Sequence, residues 1–223
     1  MNYTKTIREY CLNKKGDMFD MSYEHENHFN MVPYKTFCKI LNRLEGEGIV
    51  TLYSKGLYSI NSCENGVDSV ISFYANDDTG MVVGYKLYND LGISTHQELP
   101  IVIYTNAMET TTKNIGDKYR LERFDLIMFN ECFRKLITCL ELIENMNKII
   151  DIDAGVFGST IIDYLQGYID LDLELILEHH KYQYSTLVTL EDYLTKLNIK
   201  NRVIDIAKKY CRWEDIISLK KMI

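Results

Sequence analysis

The spacing of apolar side chains along the first part of the chain predicts three short helices. Residues 4–13 place apolar side chains three and four positions apart, as one face of a helix requires. Ser22 is suited to cap a second helix, and Pro33 is suited to the first position of a third. The apolar face of this third helix consists of Phe37, Ile40, Leu41 and Leu44.

Two short runs of β-forming residues, 49–53 and 57–60, follow the third helix. The segment between them is Ser54-Lys55-Gly56, which suits a tight hairpin turn. A series of three helices and a hairpin is typical of the winged form of the helix-turn-helix. We therefore predict a first domain with this fold over residues 1–62.

The later part of the chain predicts a mixed fold that becomes helical. Residues 80–91 have the spacing of a helix, and residues 99–106 form a β-like run. Helical periodicity then dominates, with breaks at Gly167 and Asn198, over 125–147, 156–167, 171–182 and 186–211. The predicted fold class is α+β, with the winged helix-turn-helix followed by a mixed α/β C-terminal domain, residues 70–223, that is mostly helical at its end.

Basic residues on the third helix form a stripe on the side opposite its apolar face. Lys35, Lys39 and Arg43 are spaced four apart, so they share one side of the helix, and we call them the basic stripe. Cations in this position suit contact with DNA phosphates in and beside the major groove. Because Lys55 lies at the tip of the hairpin, we expect it to contact the neighbouring DNA backbone.

Polar side chains beside the basic stripe are suited to read base edges. These candidates are Tyr34, Thr36 and Asn42. Together with the four bases they predict double-stranded DNA as the partner. The pattern fits equally well a solvated polar face on a winged helix that binds protein, and composition alone leaves both interpretations open.

Charge divides unevenly along the chain. The net charge is −7, which by itself argues against a nucleic-acid binder. Residues 1–62 carry 8 bases and 7 acids, for a charge of +1, whereas the rest carries 17 bases and 25 acids, for −8. The chain contains neither an apolar run long enough to span a membrane nor an apolar segment typical of a secretory signal, which predicts a cytoplasmic protein.

The third helix and the hairpin resemble the N-terminal winged helix of AbiEi-type antitoxins. The helix of that family ends in L-x-x-L-x-x-x-G-(I/L), which is matched here between Leu41 and Ile49. The family wing closes in K-G-x-Y, and this chain has Lys55-Gly56-Leu57-Tyr58. Many winged helices end similarly, so the resemblance depends also on a second block.

That second block follows the family order of a helix, the motif G-L-(S/T)-T-Q-V-P and a strand ending in threonine. Here the helix-like residues 80–91 are followed by Gly92-Ile93-Ser94-Thr95 and by the β-like run to Thr105. Residues 113–124 resemble the hairpin that comes next in the family. Residues 96–98 lengthen the segment before Pro100, which departs from the family pattern. The resemblance covers about residues 1–125.

The resemblance implies a function. Antitoxins of this family repress their own operon by binding promoter repeats through the winged helix. Their C-terminal domain counters a co-encoded nucleotidyltransferase toxin without forming a stable complex, the type IV arrangement, in abortive infection of phage-infected bacteria. The resemblance therefore predicts a protein that is not an enzyme, needs no cofactor and has this toxin as its functional partner.

Two other functions compete with this prediction. Gly158-Ser159 followed by Asp170 and Asp172 loosely matches a metal-dependent nucleotidyltransferase, in which two carboxylates on one strand hold Mg²⁺. The same acids also suit the first turn of a helix. A ligand-sensing winged-helix regulator is the second possibility, and it requires an apolar pocket in the back domain. A zinc site at His25 and His28 lacks a second pair of ligands at suitable spacing.

Overall fold

A computed structural model describes residues 2–14, 17–60 and 68–211 and contains both helices and sheets, as an α+β fold requires. The first part is a helical unit with a small sheet. Its elements are α1 (Tyr3–Asn13), β1 (Met18–Asp20), α2 (Met21–His28), α3 (Tyr34–Gly46), β2 (Val50–Ser54) and β3 (Leu57–Ile60). The strands are antiparallel in the order β1-β3-β2.

The core of this first part contains the predicted apolar face of the third helix. Phe37, Ile40, Leu41 and Leu44 are all buried, together with Ile7 of α1. The hairpin prediction is confirmed, and its turn contains Gly56 with φ of +78°, a conformation that glycine adopts without strain.

Three details of the first part differ from the prediction. Pro33 precedes α3 as its N-cap residue instead of taking the first helical position, which Tyr34 takes. The short strand β1 was not anticipated, because three residues are too few to show a period. Ser22 does not cap α2. Asp20 caps it instead, accepting hydrogen bonds from the backbone N–H groups of Ser22 and Tyr23 at 3.0 and 3.1 Å.

The second part begins with a mixed sheet and short helices. Its elements are α4 (Ser69–Tyr74), β4 (Gly80–Val83), α5 (Tyr85–Asp90), β5 (Ile101–Thr105), β6 (Thr112–Ile115) and β7 (Tyr119–Arg123). The strand order is β4-β5-β7-β6, with β5 and β7 parallel and the other pairs antiparallel. The β-like run and the following hairpin are therefore confirmed as strands.

The prediction of a helix over residues 80–91 is wrong for the first four residues. Residues 80–83 form β4, and α5 begins only after Gly84, which has φ of +68°. Met81 and Val83 face one apolar cluster whereas Val82 faces another, which is the alternation of a strand buried on both sides. The short apolar run could not distinguish this buried strand from a helix.

Five more helices follow β7 within the described residues. They are α6 (Glu131–Asn145), α7 (Ala154–Leu165), α8 (Asp170–His179), α9 (Tyr184–Lys196) and α10 (Val203–Tyr210). The largest apolar cluster joins these helices to one face of the mixed sheet. The helical prediction is confirmed for this region, and the predicted break at Asn198 falls between α9 and α10, where Asn198 has φ of +58°.

The residues of the loose nucleotidyltransferase motif lie on the helices α7 and α8. Gly158 and Ser159 lie within α7, and Asp170 and Asp172 lie in the first turn of α8 rather than on a strand. Asp170 accepts hydrogen bonds from Tyr168 and Arg202. The motif therefore lacks the strand geometry that this mechanism needs. Within the described ranges, no group of three or more His, Cys, Asp or Glu residues could hold a metal ion.

The opposite face of the mixed sheet packs against the first part of the molecule. Met18 and Leu57 belong to one buried cluster with Tyr74, Ile103 and Leu121. The predicted boundary between residues 62 and 70 falls on a segment, 61–67, that lies outside the described residues. None of the helices in the described part is long and apolar enough to cross a bilayer.

Candidate nucleic-acid interface

The basic stripe lies on the solvent-facing side of α3. Its three side chains are exposed, as are Asn42 on the same side and Lys55 in the turn between β2 and β3. The buried face of α3 fixes the orientation of the helix, and this in turn fixes the direction in which the exposed side chains leave it. The first part of the molecule therefore exposes four cations, three on α3 and one in the turn between β2 and β3.

These four cations differ from the other bases of the first part in whether they form ion pairs. In α1 and just after it, Lys5 lies 3.8 Å from Glu9, Arg8 lies 2.5 Å from Glu47, and Lys14 lies 3.9 Å from Glu24. Among the described residues, no carboxylate lies within 4 Å of the amine or guanidinium nitrogens of the basic stripe or of Lys55. The charge of these four side chains is therefore free to attract an external anion.

A groove of about 450 Å³ lies between the start of α1 and one side of α3. Its lining includes Thr4, Thr36, Lys39 and Arg43. Asn2 caps α1 by accepting a hydrogen bond from the backbone N–H of Lys5 at 3.2 Å, and the helix dipole leaves partial positive charge at the preceding N–H groups. Two cations, two hydroxyls and a helix N-terminus make this groove suitable for a phosphate group.

Tyr34 differs from the other predicted side chains in its position. Successive helical residues are rotated by about 100°, so Tyr34 points to the flank of α3 rather than along the basic stripe. Its ring packs edge-on against His25 at 5.0 Å, and 45% of the residue remains exposed. Partial burial raises the pKa of its hydroxyl. The structure therefore places Tyr34 at the border of the candidate interface.

Two acidic side chains lie at the same edge of the candidate interface, near Tyr34. Glu109, in the connection between β5 and β6, lies close enough to Glu26 of α2 for a hydrogen bond between the two carboxyls. This hydrogen bond, followed by partial burial and the charge of Glu26, raises the pKa of Glu109. No local pattern indicates this neighbour, because the two acids are far apart in the chain and only the tertiary fold brings them together.

Exposed residues of β2 were also not anticipated. Thr51, Leu52 and Tyr53 are all exposed, and Tyr53 is 53% accessible. They lead directly into the turn that carries Lys55. Three consecutive exposed residues break the alternation of a half-buried strand, so the strand pattern did not indicate them.

Comparison with protein-family models and with curated proteins finds no match for this chain.

Proposed function

We propose that the protein is a DNA-binding regulator whose first sixty residues form a winged helix-turn-helix. The order helix, strand, two helices and a hairpin, with β3 between β1 and β2, supports this fold. In the proposal, α3 enters the major groove and Lys55 contacts the backbone beside it. The supporting observation is that the basic stripe and Lys55 are exposed and have no acidic partner among the described residues, whereas Lys5, Arg8 and Lys14 do.

The resemblance to AbiEi-type antitoxins extends this proposal. The protein would repress its own operon by binding promoter repeats, and it would counter a co-encoded nucleotidyltransferase toxin in the cytoplasm without a stable complex. No enzyme activity, metal or cofactor is part of the proposal. The acidic second part, with charge −8 after residue 62, would be repelled by DNA and would help to orient the first part on it.

The basic stripe provides the test of DNA binding. The double variant Lys39→Ala/Arg43→Ala removes two phosphate contacts, so we expect weaker binding to the DNA upstream of the gene. The slope of log K against log salt should decrease in magnitude by about 2. Fluorescence anisotropy at several salt concentrations measures both quantities.

The matched control is Lys196→Ala/Lys200→Ala, which removes the same charge from two exposed lysines of the second part, one at the end of α9 and one in the segment after it. We expect the control to bind with the slope of the unmodified protein. If the α3 variant retains both affinity and slope, α3 does not contact DNA.

A second measurement with the same α3 variant tests the antitoxin role. Because the proposal assigns DNA binding to the first part and toxin neutralisation to the second, we expect the variant to restore growth when it is co-expressed with the toxin. Loss of protection by a variant that still folds and accumulates normally would contradict this division.

A further inference from the structure

The groove between the start of α1 and one side of α3 carries charge of one sign only. Lys39 and Arg43 both line it, and among the residues that the structure describes no acid does. In the same ranges neither cation has a carboxylate within 4 Å. The two positive charges therefore favour an anion in this groove.

Two hydroxyl groups complement these charges. Thr4 lies in the first turn of α1 and Thr36 in the first turn of α3, and both line the groove. Within the described residues neither hydroxyl has a hydrogen-bond partner, whereas the hydroxyl of Thr6 donates to the backbone oxygen of Asn2 at 3.3 Å. A hydroxyl can donate a hydrogen bond to an anionic oxygen without adding charge. Cations and hydroxyl donors from two helices together suit an anion with several oxygens, such as a phosphate.

The hairpin turn that carries Lys55 lies on the opposite flank of α3. The carbonyl oxygen of Gly56 in this turn accepts a hydrogen bond from the backbone N–H of Met21 at 2.8 Å. The sulfur of Met21 in turn lies 3.9 Å from the sulfur of Cys38 on α3. Cys38 is rotated by about 140° around the helix from Arg43, which lines the groove. The exposed face of α3 therefore has the groove on one side and the hairpin turn on the other.

This arrangement matches the geometry of a helix in duplex DNA. The major groove of DNA is about 12 Å wide, and an α-helix with its side chains is about 10–12 Å across. A helix that enters the major groove thus lies between two phosphate backbones, one from each strand. Because the groove beside α1 and the turn with Lys55 lie on opposite flanks of α3, they are placed to contact different strands.

We propose that the groove binds one phosphate of the DNA backbone, so that α1 contacts one strand while Lys55 contacts the other. This inference rests on the proposed entry of α3 into the major groove, and it adds α1 as a further DNA-contacting element. Lys39 and Arg43 neutralise the charge of the phosphate, and the hydroxyl of Thr4 donates a hydrogen bond to one of its oxygens. Thr4 is thus a positioning residue for the DNA backbone.

Thr4→Val removes the hydroxyl and keeps the shape of the side chain. We expect the full-length variant to bind the DNA upstream of the gene about three- to tenfold more weakly. The slope of log K against log salt should stay unchanged, because no charge is removed. Thr6→Val makes the same change on α1 outside the groove and should bind like the unmodified protein. Circular dichroism establishes that both variants fold. Unchanged affinity of Thr4→Val would overturn the inference, whereas failure of the unmodified protein to bind this DNA would contradict the proposed function itself.

Interference by ethylated phosphates identifies the strand that each element contacts. With the unmodified protein, we expect ethylation to block binding at phosphates of both strands across one major groove. Thr4→Val should weaken this interference on one strand, and Lys55→Ala should weaken it on the other. Weakening on the same strand by both variants would overturn the proposal. Replacement of chloride by inorganic phosphate at equal ionic strength should leave DNA affinity unchanged. A selective loss would show that the groove holds free phosphate, contrary to the proposal.

Discussion

At the scale of single residues, burial sets the chemistry of Glu141 on α6. Removal from water raises the pKa of its carboxyl to about 7, and the hydrogen bonds that its Oε1 atom accepts from the hydroxyl groups of Tyr104 and Tyr182, at 3.0 and 3.1 Å, only partly oppose this. The two tyrosine hydroxyls stabilise the charged form, while the nearby Glu144 and Glu122 disfavour it. His180 packs against Tyr104 and Tyr182, and burial lowers its pKa. The group around Glu141 therefore adds no buried positive charge to hold the carboxylate.

The raised pKa predicts that stability depends on pH through Glu141. Its folded-state pKa of about 7 exceeds the ordinary value of 4.5, so its contribution is fully present below about pH 4.5 and is lost as pH rises through 7. The loss amounts to about 3 kcal/mol at pH 8. Glu141→Gln removes this titration, so the variant should gain stability relative to the unmodified protein between pH 5 and pH 8. Urea unfolding of both proteins at these two pH values measures the change, which an equal pH dependence would contradict.

At the scale of elements, close approach of backbones determines the position of β4. A Cβ atom on Gly80 would lie 2.1 Å from the carbonyl oxygen of Tyr104 and 2.3 Å from that of Tyr74. Only glycine permits this approach between β4, β5 and the end of α4. The mixed sheet therefore depends on one residue without a side chain.

Gly80→Ala should therefore destabilise the protein strongly, because backbone atoms must shift to admit the added methyl group. We expect a loss of about 3 kcal/mol in the free energy of unfolding. Gly46→Ala is the matched control, since Gly46 ends α3 and no atom lies within 4 Å of the added Cβ. The control should be neutral or slightly stabilising, by up to about 1 kcal/mol. Equal unfolding midpoints for the two variants would show that the close approach is unimportant.

At the scale of the whole molecule, Asp20 connects the two parts. It is 2% exposed, and its Oδ1 atom caps α2. Its Oδ2 atom accepts a hydrogen bond from the hydroxyl of Tyr74 at 2.5 Å and forms an ion pair with Lys113 of β6. A single carboxylate thus joins the helix that precedes α3 to the mixed sheet. The buried cluster containing Met18 and Leu57 surrounds the same contact.

Asp20→Ala should weaken both parts at once. Removal of a buried partner leaves Lys113 and Tyr74 without their acceptor and α2 without its cap, so we expect a loss of about 3 kcal/mol or more. Hydrogen exchange should show faster exchange both in α2 and in β6, whereas Asp192→Ala on the exposed side of α9 should change neither. Faster exchange confined to α2 would show that the contact does not couple the two parts.

Local patterns in the sequence determined much of the first part of the molecule. The apolar residues of α3 repeat over more than three turns, and Lys55-Gly56 marks the hairpin, so both elements were predicted. The same helical period places the basic stripe on the exposed side. The helical end of the chain was predicted for the same reason, since a period of 3.6 residues is a local property.

Only the tertiary structure decided the features that depend on distant contacts. Strands β1 and β4 are too short to show a period, and pairing with β3 and β5 defines them. The partners of Glu141 lie 37 and 41 residues away in the chain, and Lys113 lies 93 residues from Asp20. Periodicity reports which side of an element is buried, whereas a cavity or a buried ion pair depends on which elements meet. The sequence alone therefore determined the basic face of α3, and the packing of the sheet against the helices created the buried environment of Glu141.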